Sequence, residues 1–258
     1  GSEMCIRDRV NNIAPVNKGE VVWTVEPTAV IFFGRLFNTG KVDLRRLVSV
    51  AGSEINNPAY AEVLVGQPIA SILDGKLAVK KNHVRIINGN GIYANSVEEY
   101  DVKNHVRIIN GNPLTGRKCT AEDFVGGHTS EITVIPEGDD VDEMLGWILP
   151  RTNDFSVSRS YFSWLFGKKK EYSLDARVKG GERHMIMSGE YDKVLPMDIY
   201  GEYLIKAIIA GDIDRMEQLG IYEVAPEDFA LAEFVDSSKL ELQHIVRQGL
   251  DMLRKENA

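Results

Sequence analysis

The chain has 258 residues, of which 43% are hydrophobic and 26% are charged, and its formal net charge is −8 at pH 7. This composition is typical of a globular protein with its own core, and it excludes a disordered or collagen-like chain. The acidic balance also argues against nucleic-acid binding over the whole surface, because an acidic protein repels a polyanion.

The cysteine content and the start of the chain limit the possible classes further. Two thiols, Cys5 and Cys119, cannot form a disulfide framework, a four-thiolate zinc site or an iron–sulfur cluster within one chain. They indicate a reducing, cytoplasmic setting. No apolar run approaches the roughly 20 residues that a membrane-spanning helix needs. Residues 1–12 lack a secretory pattern, and we interpret them as a non-native or disordered extension.

The first predicted elements are a strand, a helix and a second strand. Gly19–Val25 is a short β-branched and aromatic run, Thr28–Asn38 follows a proline and ends before a glycine, and Val42–Val50 returns to strand character. This order predicts a βαβ-type layer. We interpret residues 13–52 as the end of an α/β domain, and we expect the chain to be a fragment of a longer protein.

Residues 53–138 alternate short strands and turns, which indicates a small β-grasp domain. Strands are expected at Tyr60–Val65 and Glu131–Ile135. A helical turn is expected at Ile69–Leu73, before an Asp-Gly turn.

One ten-residue segment occurs twice in this domain. Lys81–Asn90 and Lys103–Asn112 both read KNHVRIINGN. Two copies are too few for a solenoid, which needs at least three stacked units. Because both copies encode the same strand and turn, only one can fill that position. We expect the second copy to do so, since Pro113–Gly116 completes its turn.

The remaining chain is interpreted as a mixed β region, residues 139–197, and a helical tail, residues 198–258. Strand-like runs occur at Tyr172–Val178 and Met185–Met187. Helix starts in the tail are expected at four residues: Asp198, Asp212, Pro226 and Ser238.

The last predicted helix has the clearest pattern. Ser238 and Glu241 have the spacing of a capping box. Apolar residues then recur at three-and-four spacing, which predicts that one face of this helix packs on a core. They are Leu242, Ile245, Val246, Gly249, Leu250 and Leu253.

No catalytic residue, cofactor-binding residue or metal ligand can be identified from spacing. The glycine pairs fit neither a dinucleotide turn nor a phosphate-binding loop. Cys119 follows two basic residues, which would lower a thiol pKa, but no general base accompanies it. None of the five histidines has a second ligand at chelate spacing: His83, His105, His128, His184 and His244. We therefore expect a chain without flavin, iron or zinc.

One stretch combines large apolar side chains with a lysine cluster. This composition is typical of a segment that docks on a membrane interface or on an acidic partner. The alternative is that the aromatic residues belong to the chain's own core and that the lysines are only solvated. The candidate docking residues are Trp164, Leu165, Phe166, Lys168, Lys169 and Lys170.

Four ordered stretches resemble the A subunits of the sodium-translocating NADH:quinone oxidoreductases, which are bacterial respiratory complexes. They are Ile13–Trp23, Gly34–Val42, Ile132–Gly138 and Met197–Val224. The resemblance implies that the β-grasp domain is of the soluble-ligand-binding (SLBB) type. It further implies a peripheral, cofactor-free subunit of a translocase that oxidises NADH, reduces ubiquinone and pumps sodium ions. It also implies a place on the cytoplasmic face of the inner membrane, in contact with the membrane-embedded quinone-reducing subunit. Flavins, iron–sulfur clusters and NADH would then be held by partner subunits.

Two features depart from that family pattern. The duplicated segment has no counterpart, and Ala232 and Asp236 stand where cysteines would be expected. The alternative function is a free-standing β-grasp module that binds a soluble small molecule and has no redox role. A related subunit of the cation-pumping ferredoxin-linked complexes is disfavoured, because it would carry repeated Cys-x-x-Cys motifs. Co-purification with membrane subunits would distinguish a subunit of the respiratory complex from a free-standing β-grasp module.

Overall fold

The structure is a computed structural model that describes residues 6–15, 18–77, 105–139, 152, 154–155, 159, 161–166, 172, 174–178 and 180–256. The chain divides into two compact units. The sheet unit comprises residues 27–177. The helical unit comprises residues 178–258 together with residues 1–26.

The described part of the sheet unit contains two α-helices, five strands and one short 3-10 helix. They are α2 (Pro27–Thr39), β1 (Arg45–Ala51), β2 (Ala59–Leu64), α3 (Ile69–Leu73), β3 (Val106–Asn110), β4 (Arg117–Cys119), β5 (Glu131–Pro136) and the 3-10 helix Phe162–Phe166. The described part of the helical unit contains five α-helices and three 3-10 helices. They are α1 (Ile6–Ile13), the 3-10 helix Tyr191–Lys193, α4 (Gly201–Ala210), α5 (Ile213–Gln218), the 3-10 helices Ile221–Glu223 and Pro226–Phe229, α6 (Ala230–Val235) and α7 (Leu242–Glu256).

The five strands form one mixed sheet in the order β2-β1-β5-β3-β4. Strands β1 and β5 are parallel, with Val50 opposite Ile132, and the neighbouring pairs β1–β2, β3–β4 and β3–β5 are antiparallel. The β1–β2 hairpin, helix α3, the β3–β4 hairpin and strand β5, which is parallel to β1, together form the β-grasp arrangement. The predicted fold class, mixed α/β with a β-grasp sheet and a helical carboxy-terminal region, is confirmed.

Buried and exposed residues alternate along the strands, which shows where the core of the sheet unit lies. In β1, Val48 and Val50 are buried, while Leu47 on the opposite face is 63% exposed. One face of the sheet therefore carries the core, as expected for period-2 alternation. Helix α3 covers this face, and the packed residues are Val48, Val50, Ile55, Val63, Ile69, Ile72, Leu73, Ile108, Val125, Ile132 and Val134.

The second copy of the duplicated segment supplies β3, as predicted. The turn that follows it is built by Asn112, whose side-chain oxygen accepts hydrogen bonds from the N–H groups of Leu114 and Thr115 at 2.9 and 2.8 Å. At Gly116 an added Cβ would lie 2.5 Å from Cγ2 of Ile109. Residue 94, which is the equivalent position after the first copy, is an alanine. The first copy itself lies outside the described residues.

Matched substitutions in the two identical copies test this assignment. Replacing Ile108 by alanine should cost about 2 kcal/mol, because the side chain is 7% exposed in the sheet core. The same change at Ile86, the equivalent residue of the first copy, should cost less than about 1 kcal/mol. Removal of Asn82–Lys103, which leaves a single copy, should preserve cooperative unfolding in urea. Equal losses at both isoleucines would mean that both copies are structural.

The amino-terminal part differs from the prediction in three respects. The expected strand Gly19–Val25 is wrong, since these residues form no strand and Trp23 is 87% exposed. A β-branched run becomes a strand only where another strand pairs with it. Strand β1, expected in a preceding α/β domain, lies inside the sheet. Helix α1 forms within the stretch expected to be a non-native or disordered extension.

Helix α2 matches the helix predicted at Thr28–Asn38. It contributes no buried residue, and Val30, Phe33 and Phe37 are 57%, 54% and 85% exposed. The proposed division of the chain into five segments remains a prediction.

The helical unit has its own core. Helix α7 buries Leu242, Val246, Gly249 and Leu253, which belong to the face predicted from their spacing. Asp212 caps α5 as predicted, because its carboxylate accepts the N–H of Arg215 at 3.1 Å. The core residues are Tyr191, Met197, Leu204, Ile205, Ala207, Ile208, Met216, Ile221, Val224, Phe229, Ala232, Leu240, Leu242, Val246 and Leu253.

Two local predictions for the third region are wrong. The capping box at Ser238 does not form, because α7 begins at Leu242 and the Ser238 hydroxyl donates instead to His184 O at 3.2 Å. The strand-like runs form no strand in the described residues of 139–197. Met185–Met187 have no regular secondary structure and pair with no strand among the described residues. Near Tyr172–Val178 a single bond from Ala176 N–H to Pro136 O replaces the ladder.

Candidate docking surface

The candidate docking residues begin in a short 3-10 helix of the sheet unit, Phe162–Phe166. Within it Ser163 is 2% exposed, so one side faces protein, while Phe162, Trp164 and Leu165 are 55%, 49% and 61% exposed. This exposure argues against the alternative that Trp164 and Leu165 belong to the core. The helix therefore presents three large apolar side chains to solvent.

Cationic residues flank this helix in the sequence, with an arginine before it and the lysine cluster after it. The guanidinium of Arg159 lies 5.9 Å from the centre of the Trp164 ring, within cation–π range. The side chain of Phe166 and residues Lys168, Lys169 and Lys170 lie outside the described residues. The structure brings together Trp164 and Leu165 of the predicted set.

Cys119 is not an activated thiol. It lies in β4, half-buried, and its Sγ is 3.5 Å from Ile108 O. Burial, followed by the nearby Asp123 carboxylate, raises the pKa of the Cys119 thiol above its usual range. The two preceding basic residues do not offset this effect. The described residues also contain no group of three or more His, Cys, Asp or Glu side chains placed to hold a metal ion.

An ion cluster stabilises the end of strands β3 and β5. Arg107 donates to both carboxylate oxygens of Glu137, at 2.9 and 2.5 Å, and Lys118 Nζ lies 3.1 Å from Oε1. The hydrogen bonds from Arg107, and then that from Lys118, lower the pKa of Glu137 to about 2. The Glu137 side chain is 22% exposed, so the cluster is only partly screened by solvent.

This pKa gives a testable pH dependence. The folded-state pKa of Glu137 lies below its ordinary value of 4.5, so its stabilising effect is complete above that value and is lost as the pH falls through about 2. At pH 6, Glu137→Gln should therefore lower the free energy of unfolding by about 1–2 kcal/mol after solvent screening. Urea titrations should show this difference disappearing near pH 2. A difference that is constant from pH 6 to 2 would contradict the assignment.

The described part of the helical unit buries three carboxyl groups, those of Glu202, Asp228 and Asp236. Glu202 is 6% exposed and Asp236 is 1% exposed. Asp236 accepts the N–H groups of Ser238 and Leu240 at 3.1 and 2.9 Å, which gives this residue a structural role where the family resemblance predicts a cysteine. Burial, with Asp236 and Glu202 nearby, raises the pKa of Tyr191 far above its usual range. No spacing pattern signals such a cluster.

Among the described helices, none is both long and apolar enough to cross a membrane. Residues 7–42 match the family described as the NqrA second alpha/beta domain. Residues 47–93 match the family described as the NQRA C-terminal domain, of the SLBB type.

Curated relatives match nearly the whole chain. The A subunit of the Na(+)-translocating NADH-quinone reductase of Vibrio atlanticus is 33% identical over 94% of this chain and 49% of its own length. The Neisseria meningitidis subunit is 32% identical over 96% of this chain and 50% of its own length. The Pasteurella multocida subunit is 33% identical with the same coverage. Over nearly its whole length the chain is therefore similar to the A subunits of the Na(+)-translocating NADH-quinone reductases, as the sequence resemblance indicates, and it spans about half the length of these relatives.

Proposed function

We propose that this chain acts as part of a peripheral, cofactor-free subunit of a bacterial respiratory complex that oxidises NADH, reduces ubiquinone and pumps sodium ions. The observation that carries the proposal is the similarity of 94–96% of the chain to subunits named for that reductase. No described feature favours the alternative of a free-standing β-grasp module that binds a small ligand.

In this complex the chain binds partner subunits and carries out no redox step itself. The redox steps need flavins or metal clusters, and the sequence has two cysteines and no nucleotide fingerprint. We assign the flavins, the iron–sulfur centres and the NADH site to partner subunits, with ubiquinone as the substrate of the complex. The main partner is the membrane-embedded quinone-reducing subunit, which places the chain on the cytoplasmic face of the inner membrane.

The exposed 3-10 helix is the proposed docking surface toward the membrane part of the complex. The exposed apolar side chains of this helix are Phe162, Trp164 and Leu165. Their burial against a partner would stabilise the complex by roughly 25 cal/mol for each Å² of apolar area removed from water. In the sequence the lysines 168–170 follow at once, and they would face anionic lipid headgroups or an acidic protein surface.

Co-purification tests the proposed function. The chain, carrying an affinity tag, is expressed together with the other subunits of the reductase, and the membranes are solubilised in mild detergent. The membrane subunits should be recovered with the tagged chain. Recovery of the chain alone, from the soluble fraction, would favour the free-standing ligand-binding module.

Charge reversal tests the docking surface separately. Replacing Lys168, Lys169 and Lys170 by glutamate should lower recovery with the membrane subunits at least about tenfold, since each basic residue near an anionic surface contributes about 1 kcal/mol. Thermal unfolding should change little, because surface substitutions usually alter stability by no more than about 0.5 kcal/mol. The matched control reverses three exposed cations of α7, Arg247, Arg254 and Lys255. Unchanged recovery with the first variant would remove the lysines from the docking surface.

A further inference from the structure

Residues 183–188 form a surface segment of the helical unit without helix, strand, turn or bend, which we call the strap. At its start, the N–H of Arg183 donates to Ser238 O at 2.8 Å. At its end, the N–H of Ser188 donates to the buried carboxyl of Glu202 at 3.1 Å. Between these anchors, no backbone N–H of the strap donates a hydrogen bond to any described residue. The strap is thus held at both ends, contains no turn or bend, and has unused backbone donors between its anchors.

A groove of about 800 Å³ lies between the strap and helix α4. Its lining includes three large apolar side chains, which we call the floor: Met185 of the strap, Ile209 of α4 and Leu240 of the segment before α7. Leu240 is 9% exposed and belongs to the core, whereas Ile209 is 56% exposed. The floor is therefore anchored in the core and open to solvent, which suits it to receive apolar side chains from another molecule.

The lining also includes two cations, Arg183 and Lys206, which we call the rim of the groove. Neither forms an ion pair within the part of the chain that the structure describes. Glu182 is the single acidic side chain in the groove lining, so its formal charge is +1. The surrounding region Asp198–Ala258 carries 13 acidic and 6 basic residues. Because the rim is positive and the surrounding surface is acidic, acidic groups of a partner bind more favourably at the groove than elsewhere on this surface.

We propose that this groove binds an extended, acidic and apolar peptide segment of a protein partner, which adds to the strap as a strand. The backbone N–H groups of the strap supply the main-chain hydrogen bonds, and the floor receives alternate apolar side chains. Carboxylates of the peptide lie between Arg183 and Lys206. The unused backbone donors favour a peptide over a lipid, because peptide carbonyls repeat at the spacing of an extended strand.

Methionine methyl NMR of the purified full chain tests the proposal. The probe is the synthetic peptide acetyl-Glu-Leu-Glu-Leu-Glu-Leu-amide, and its comparison peptide has lysine in place of glutamate. The acidic peptide should shift the methyl signals of Met185 and Met187, which lie on the strap. The signals of Met197 and Met216, which lie in the core of the same unit, should stay unchanged. The basic peptide should bind at least about tenfold more weakly.

Charge variants separate the groove from general electrostatics. The double variant Arg183→Glu and Lys206→Glu should weaken binding of the acidic peptide at least about tenfold. The matched control, Arg254→Glu with Lys255→Glu at the end of α7, changes the net charge equally and should bind as the original chain does. Thermal unfolding of both variants checks that they fold. Equal binding of the two peptides, equal weakening by the two variants, or no shift at Met185 and Met187 would each overturn the proposal.

Discussion

Replacing Gly52 by alanine should destabilise the sheet unit by more than about 4 kcal/mol, a loss at the extreme of single substitutions. Gly52 follows β1 with a backbone φ of +124°, a conformation that L side chains rarely adopt. An added Cβ would lie 2.7 Å from the backbone N and C of Val134, and closer still to its carbonyl oxygen. Because Val134 belongs to the buried strand β5, the backbone cannot give way without disturbing the core.

Gly66 is the matched control for this variant. It has a φ of +89°, but an added Cβ would meet nothing within 4 Å. Gly66→Ala should therefore cost about 1 kcal/mol, from backbone strain alone. Urea unfolding and amide hydrogen exchange in β5 measure both variants. Similar losses at the two glycines would contradict the close approach of residue 52 to β5.

Replacing Glu202 by leucine should destabilise the helical unit by about 3 kcal/mol. One carboxyl oxygen of Glu202 accepts the N–H groups of Ser188 and Gly189 at 3.1 and 2.7 Å, and it lies 3.3 Å from the Ser188 hydroxyl. Leucine removes the charged acceptor from these partly buried backbone donors, and hydrogen bonds to a charged group contribute about 1.5–3 kcal/mol. Amide exchange at Ser188 and Gly189, with urea unfolding, measures the effect.

Glu202→Gln separates the hydrogen bonds from the charge. Glutamine keeps an acceptor oxygen at the same position, so its cost should be about 1 kcal/mol. Glu227→Leu, at an exposed glutamate of the same unit, should change the free energy of unfolding by no more than about 0.5 kcal/mol. The assignment fails if the glutamine and leucine variants lose the same stability, since the hydrogen bonds would then contribute nothing.

Elements with a local signature can be predicted from the sequence. Helix α7 is identified by its apolar spacing, α5 by the capping residue Asp212, and β3 by the turn that follows the second copy. These signals depend on residues a few positions apart. The strand expected at Gly19–Val25 fails because strand formation depends on a neighbour, which local composition does not reveal. The position of β1 inside the sheet likewise depends on pairing with distant strands.

The candidate sites show the same limit. The exposed 3-10 helix can be found because Trp164 and Leu165 adjoin a lysine run in the sequence. The groove is missed, because Arg183 and Lys206 come from separate segments that meet only in the folded chain. The buried Glu202 is also missed, since a carboxyl group that accepts backbone N–H bonds fourteen residues away has no sequence pattern. Sites assembled from distant segments require the structure.

A chimeric reductase tests the central claim most directly. In this chimera the chain replaces the matching half of the corresponding Vibrio atlanticus subunit, to which it is 33% identical. Membranes containing the chimera should retain sodium-dependent reduction of quinone by NADH, and the chimera should co-purify with the membrane subunits. A chimera that folds but stays in the soluble fraction, with membranes no more active than those lacking the replaced subunit, would contradict a role for this chain in the reductase.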